Sequence, residues 1–146
     1  MPFRSRLTIL ALGTLTLGLT AYADEVANPA GKWIFTAKIN GTCEFGGQAF
    51  LEQTEPNRYK GEITARQSCP ELPEDYLVRQ TCEASRLGNQ LSVRCSIVEF
   101  LNGFESEYYY PDNFTLTIAS SERMHGALVS ASTAPAVWTR DDGGIS

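Results

Sequence analysis

Histidine occurs once in the 146 residues, at His125. Any serine or cysteine nucleophile in this chain has only that imidazole to serve as its base. A zinc site built on imidazoles lacks the ligands it needs. There is no G-x-S-x-G elbow to expose a serine, and no C-x-x-C to suggest redox chemistry. Basic residues are also scarce, 12 against 17 acidic. A phosphate backbone demands the opposite balance, which argues against a nucleic-acid partner. A convincing helical period is missing too, apart from one short helix that would fit between Pro70 and Tyr76.

The first residues set the compartment. Arg4 and Arg6 precede the uncharged run LTILALGTLTLGLT, and Ala21-Tyr22-Ala23 places small residues where a signal peptidase reads them. Charge, apolar run and A-x-A together describe a secretory signal peptide over 1–23, cut before Asp24. The run is diluted by threonine and glycine and is short for a membrane span. No cysteine stands at the cut to carry a lipid. The chain that remains, 24–146, is one domain with no transmembrane segment, and losing Arg4 and Arg6 leaves ten basic against seventeen acidic residues. Its destination is the periplasm or the medium.

In an oxidising compartment the four cysteines, Cys43, Cys69, Cys82 and Cys95, read as two disulfides. Zinc is the competing reading, but the spacings form no paired knuckles, so no metal and no cofactor is expected. Cys82 lies six positions before Gly88 and Cys95 six after Asn89. Gly88-Asn89 suits a two-residue hairpin turn. Counting outward, Leu87 faces Gln90, Ala84 faces Val93, and Cys82 faces Cys95 at a non-hydrogen-bonded position, where Cα atoms approach to about 4.5 to 5.5 Å. That is within or close to disulfide range. A second hairpin around a Glu55–Arg58 loop sets Phe50 opposite Ile63 and Cys69 opposite Glu44. One β-bulge, expected at Gly46-Gly47, corrects the slip and joins Cys43 to Cys69.

Alternation marks the strands. Trp33, Phe35 and Ala37 alternate with Ile34, Thr36 and Lys38; Tyr59, Ile63 and Ala65 alternate with Lys60, Glu62 and Thr64. The same period runs through Leu91, Val93, Cys95 and Ile97, and through Phe114, Leu116 and Ile118, with ALVSAS and AVWTR as further strands. About eight short antiparallel strands with no internal linker make a single all-β, up-and-down barrel. Trp33, Phe35, Phe50 and Phe114 are its expected core. Closure brings the first and last strands together, so that Arg140 lies over the Trp33 indole as a cation–π seal.

A G-x-W on the first strand, Gly31-Lys32-Trp33, with a late arginine able to cover the tryptophan, resembles the calycin superfamily. Within it, the order Gly31-Lys32-Trp33, Cys43, Cys69 is similar to the small bacterial inhibitors of serralysin-type metalloproteases. The likeness covers mainly 31–69, with an echo at Trp138 and Arg140. It implies a barrel that acts as a plug, with an N-terminal trunk entering the protease cleft. The corresponding residues here begin Asp24, Glu25, Val26. The chain departs from that family in its length, its second disulfide and the segment EFLNGFESEYYYPDNF.

Three functional classes follow. The first is an exported, non-catalytic binding protein with a protease-like protein partner. The second is a lipocalin-like carrier of a small apolar ligand held in the lumen. The third, a hydrolase, rests on Glu99, Glu105, Glu107 and Asp112, which solvated loop charge explains as well. His125 lies in a strand whose facing a one-residue shift reverses, and an ordinary strand histidine is the simpler reading. Tyr108, Tyr109 and Tyr110 are more informative. Three consecutive rings cannot share one face of a strand, so at least one meets solvent, the barrel rim or a partner. Asn40-Gly41-Thr42 and Asn113-Phe114-Thr115 fit the glycosylation sequon, which matters only in a eukaryotic host.

Overall fold

The computed structural model describes residues 25–102 and 105–143, together with Gly18. The expected signal peptide, apart from Gly18, and Asp24 lie outside the described residues. Eight strands follow one another: β1 Gly31–Ala37, β2 Glu44–Glu55, β3 Arg58–Ser68, β4 Tyr76–Leu87, β5 Gln90–Phe100, β6 Asn113–Ile118, β7 Arg123–Val129 and β8 Thr133–Arg140. Each pairs antiparallel with its sequence neighbour, and β1 pairs with β8, closing an up-and-down barrel. The described residues contain no helix; residues 70–74, in the one stretch with room for a short one, are turn and bend. Pro70 and Pro73 leave too few backbone donors there for a helical turn.

Both hairpin arguments lead to the observed disulfides, Cys43–Cys69 and Cys82–Cys95. Across β4 and β5, Leu87 faces Gln90, Ala84 faces Val93 and Cys82 faces Cys95. Gly88 takes φ 60° in the connecting turn, a conformation costly for any residue with a Cβ. The β2–β3 hairpin corrects the expected register. Its turn is the pair Pro56-Asn57, with Asn57 at φ 63°. The irregularity falls at Thr54, between Gln53 and Glu55, and pairing runs unbroken through Gly46 and Gly47. Phe50 therefore faces Glu62, not Ile63, and turns outward with 47% of its surface exposed. Ala49 and Leu51 take the inward positions, and Phe50 is no part of the core. A one-residue slip reverses the face of every side chain it precedes.

The glycines have another task. A Cβ on Gly47 would sit 2.0 Å from Thr64 O and 2.7 Å from Phe35 Cζ, and one on Gly126 2.0 Å from Thr115 O. Their absence lets β2 and β7 coil tightly against the neighbouring strands, as a small barrel requires.

The lumen is filled by rings. Phe35 stacks on Trp138 with centroids 5.5 Å apart, and Phe114 meets the Trp138 ring edge-on at 5.0 Å. Trp33 lies 6.5 Å from Trp138, and all four side chains are almost wholly buried. Trp138 Nε1 is the one buried side-chain donor among the described residues without a hydrogen bond. That omission costs about 1–3 kcal/mol, which the apolar burial around it offsets. Phe35 also borders a cavity of about 730 Å³ beside β1 and β2, and Trp33 borders one of about 240 Å³ beside β1, β2 and β3, but neither is lined by Trp138 or Phe114, the rings at the centre of the cluster.

One seam is short: β5 pairs with β6 only over Gln90–Val93, while its pairing with β4 continues to Phe100. Beyond Val93, Asn113 still holds β5 through its side chain, Cys95 N donating to Asn113 Oδ1 at 2.8 Å. The Cys82–Cys95 bridge sits at this level, buried against the core. Replacing both cysteines with alanine should lower unfolding stability by about 3 kcal/mol, as a loop closure of this length implies. A urea melt of the double variant checks this; an unchanged midpoint contradicts it.

Candidate functional site

The strand directions sort every loop onto one of two barrel ends. One end holds the N-terminal segment 25–30, the β2–β3, β4–β5 and β6–β7 turns, and the end of β8. The other holds the connections 38–43, 69–75, 101–112 and 130–132.

The first end is shut by Arg140. Trp33 and Arg140 are register partners across β1 and β8, and the guanidinium carbon stands 4.0 Å from the centre of the indole. The guanidinium donates to Ala30 O, to Asn28 O at 3.0 Å and to Ser121 O at 2.9 Å. Trp33 Nε1 donates to Pro29 O at 2.8 Å. Val26, Ala27 and Ala30 pack against the core beneath these bonds, while Glu25 is exposed. Residues 26–30 thus form a strap across the barrel end.

The second end is built on a buried polar cluster. The inward row of β4 runs Val78, Gln80, Cys82, Ala84, and Gln80 is fully buried. Its amide donates to Asp112 Oδ2 at 2.6 Å and accepts the Asp112 backbone N–H at 2.9 Å. Tyr109 donates its hydroxyl to the same Oδ2 at 2.7 Å. Its ring packs on Tyr76 at 5.1 Å and, edge-on, on Phe100 at 6.0 Å. Asp112 is therefore not part of a solvated acidic loop: it is 2% exposed, and Gln80 and Tyr109, which hold it, are uncharged. Burial pushes its carboxyl up to about 6, against the opposing pull of the Tyr109, Gln80 and Ser130 hydrogen bonds. Burial, and then the Asp112 charge, drive the Tyr109 phenol far above its ordinary value.

This cluster decides where the tyrosines go. Tyr109 is the inward anchor, while Tyr108 and Tyr110 project on either side, 78% and 54% exposed. Ser130 Oγ donates to Tyr110 O at 3.2 Å, tying the segment to the β7–β8 turn. Leu101, Val98 and Val129 are the other exposed large apolar side chains of β5, β7 and the connection that follows β5. The two expected recognition elements do not come together. Glu25 and Val26 lie at the strapped end, and Tyr108 and Tyr110 at the opposite one.

The remaining candidates lie apart. His125 is exposed on β7, opposite Thr117 and Val137. Glu99 pairs with Arg79 on the outer wall at 3.1 Å. Cys43, Cys69 and Glu71 are close enough to suggest a metal, but both sulfurs are spent in their own bond. The cavity of about 730 Å³ beside β1, β2 and the end of β3 reaches the 38–43 connection and is lined by the buried Phe35, Ala37 and Phe45 as well as by the outward Ile34, Thr36 and Arg66. No protein-family model matches the chain, and no curated protein matches it either.

Two outcomes are expected. Arg140→Ala should cost about 2 kcal/mol, from charged hydrogen bonds to backbone carbonyls, and should expose the strap to limited proteolysis. An uncut N-terminus would contradict it. For Asp112 the folded carboxyl titrates above the unfolded value of 3.8. The folded state then holds more protons between about pH 4 and about pH 6, so stability falls as pH rises through that window and is level above it. Asp112→Asn should flatten this slope in urea melts taken across the window; an unchanged slope assigns the titration elsewhere.

Proposed function

We propose that the protein is an exported, non-catalytic binding protein that engages a protein partner through the tyrosine end of its barrel. The two disulfides fit an oxidising location, periplasmic or extracellular. The signal-peptide pattern before Asp24 assigns the route there. The observation that carries the reading is the arrangement of Tyr108 and Tyr110. Both rings are exposed on a segment whose middle tyrosine is buried and bonded to Asp112. Exposed aromatic side chains on a fixed segment supply contact area with little left to order on binding.

The packed lumen weighs against a carrier that holds its ligand inside. The strap weighs against residues 26–30 acting as a free trunk, since they are bonded to Arg140 and Trp33. The protease class of partner rests on the Gly31-Lys32-Trp33, Cys43, Cys69 resemblance alone.

Calorimetric titration of a serralysin-type metalloprotease tests both parts. Tyr108→Ala with Tyr110→Ala should weaken binding by at least tenfold, in the range of interface anchors, with no change in the thermal midpoint. A truncation that starts at Ala27 should bind normally. Loss of binding in the truncated protein, with the tyrosine variant unaffected, would move the site to the strapped end. No binding by the unaltered protein removes the protease class.

A further inference from the structure

From Cys95 to Glu122 the chain carries no lysine, arginine or histidine, but it carries Glu99, Glu105, Glu107, Asp112 and Glu122. Folding places most of this imbalance at one end. The four connections of the tyrosine end and the strand ends that border them contain Glu44, Glu71, Glu74, Asp75, Glu99, Glu105, Glu107 and Asp112, against Lys38, Arg66 and Arg79, of which Arg79 is paired with Glu99. Asp75 is neutralised by Arg66 of β3 at 2.5 Å, and Asp112 is buried. Glu71, Glu74, Glu105 and Glu107 remain exposed, and none of them makes an ion pair among the described residues. The strapped end differs. There Lys32, Arg58, Arg86, Arg123 and Arg140 balance Glu25, Glu55, Glu122, Asp141 and Asp142. The barrel is electrically lopsided, and its exposed aromatic rings stand on the negative side.

We infer that the partner surface taken by Tyr108 and Tyr110 is basic, presenting lysine or arginine side chains to the two rings and to Glu105 and Glu107. This rests on the tyrosine-end reading above and names the chemistry of what it binds. The pieces are complementary. A guanidinium or ammonium stacks on the face of an exposed phenol ring. Flanking carboxylates hold it there and steer the encounter from a distance. An acidic partner would meet four uncompensated carboxylates and be repelled. The same field turns away anionic lipid surfaces, which leaves a basic protein as the occupant.

Amide NMR titration of the exported, signal-cleaved protein tests this with one probe in two charge states. Cytochrome c supplies a small basic surface, and its fully succinylated form supplies the same fold with the charge reversed. At about 10 mM salt the screening length is about 30 Å, and at about 0.1 M it is about 10 Å. At low salt the basic form should shift resonances of the 69–75 and 101–112 connections, and raising the salt should weaken the response about tenfold. The succinylated form should shift none of them. Glu105→Gln with Glu107→Gln should weaken the response several-fold, and Tyr108→Ala with Tyr110→Ala should do so independently. Equal response to both charge states, no response to the basic form, or shifts confined to the strapped end would each overturn the inference. Sensitivity to the tyrosine pair without sensitivity to the glutamate pair or to salt would overturn the basic partner while leaving the tyrosine end as a binding surface.

Discussion

The pairing of β1 with β8 is the constraint on which the rest of the molecule depends. A sheet of this kind has two edges until its first and last strands meet, and an open edge is a template for aggregation. Here the meeting is fixed at one point by Trp33 and Arg140. The register that places them opposite each other also stacks Phe35 against Trp138 in the lumen. Arg140 then reaches past the sheet to the carbonyls of Asn28 and Ala30, so the residue that seals the wall also draws the N-terminal segment over the end. Closure, core and strap are one arrangement. With this end committed to structure, the proposed binding surface falls at the opposite one.

That opposite end follows a different physical rule. Its organising group is a carboxylate taken out of water without a cation, held by the amide of Gln80 and the phenol of Tyr109. Such a cluster is expensive to bury half-satisfied, and its donors and acceptors interlock in this structure. Its product is orientation: a run of three similar side chains is divided into one that anchors and two that display. The display surface is therefore determined less by the tyrosines themselves than by the two buried polar residues behind them.

Much of the fold was legible because the hairpins obey arithmetic. Cys82 and Cys95 are equidistant from Gly88-Asn89, and a two-residue turn leaves no freedom in what faces what. The Pro56-Asn57 hairpin was less transparent. A four-residue loop and a bulge at Gly46-Gly47 also bring Cys43 opposite Cys69, and only the face taken by Phe50 distinguishes that solution from the observed one. The site was harder to see. Three tyrosines in a row demand a split but do not say which ring goes inward. Asp112, set among Glu99, Glu105 and Glu107, looks like one more solvated acid. The available clue was Gln80, a polar residue in register with Cys82 and Ala84 on an inward row. A buried amide needs a partner, and its partner lies 32 residues downstream, beyond the reach of local pattern.

The short β5–β6 seam has a consequence for how the wall fails. Forces that part a barrel concentrate at its least-stitched join, which here ends at Val93. A crack opening from the tyrosine end would run down that join and meet the Cys82–Cys95 staple on its flank. The staple keeps β4 and β5 together as a single panel, so the wall would swing open like a door on its frame before it frayed into separate strands.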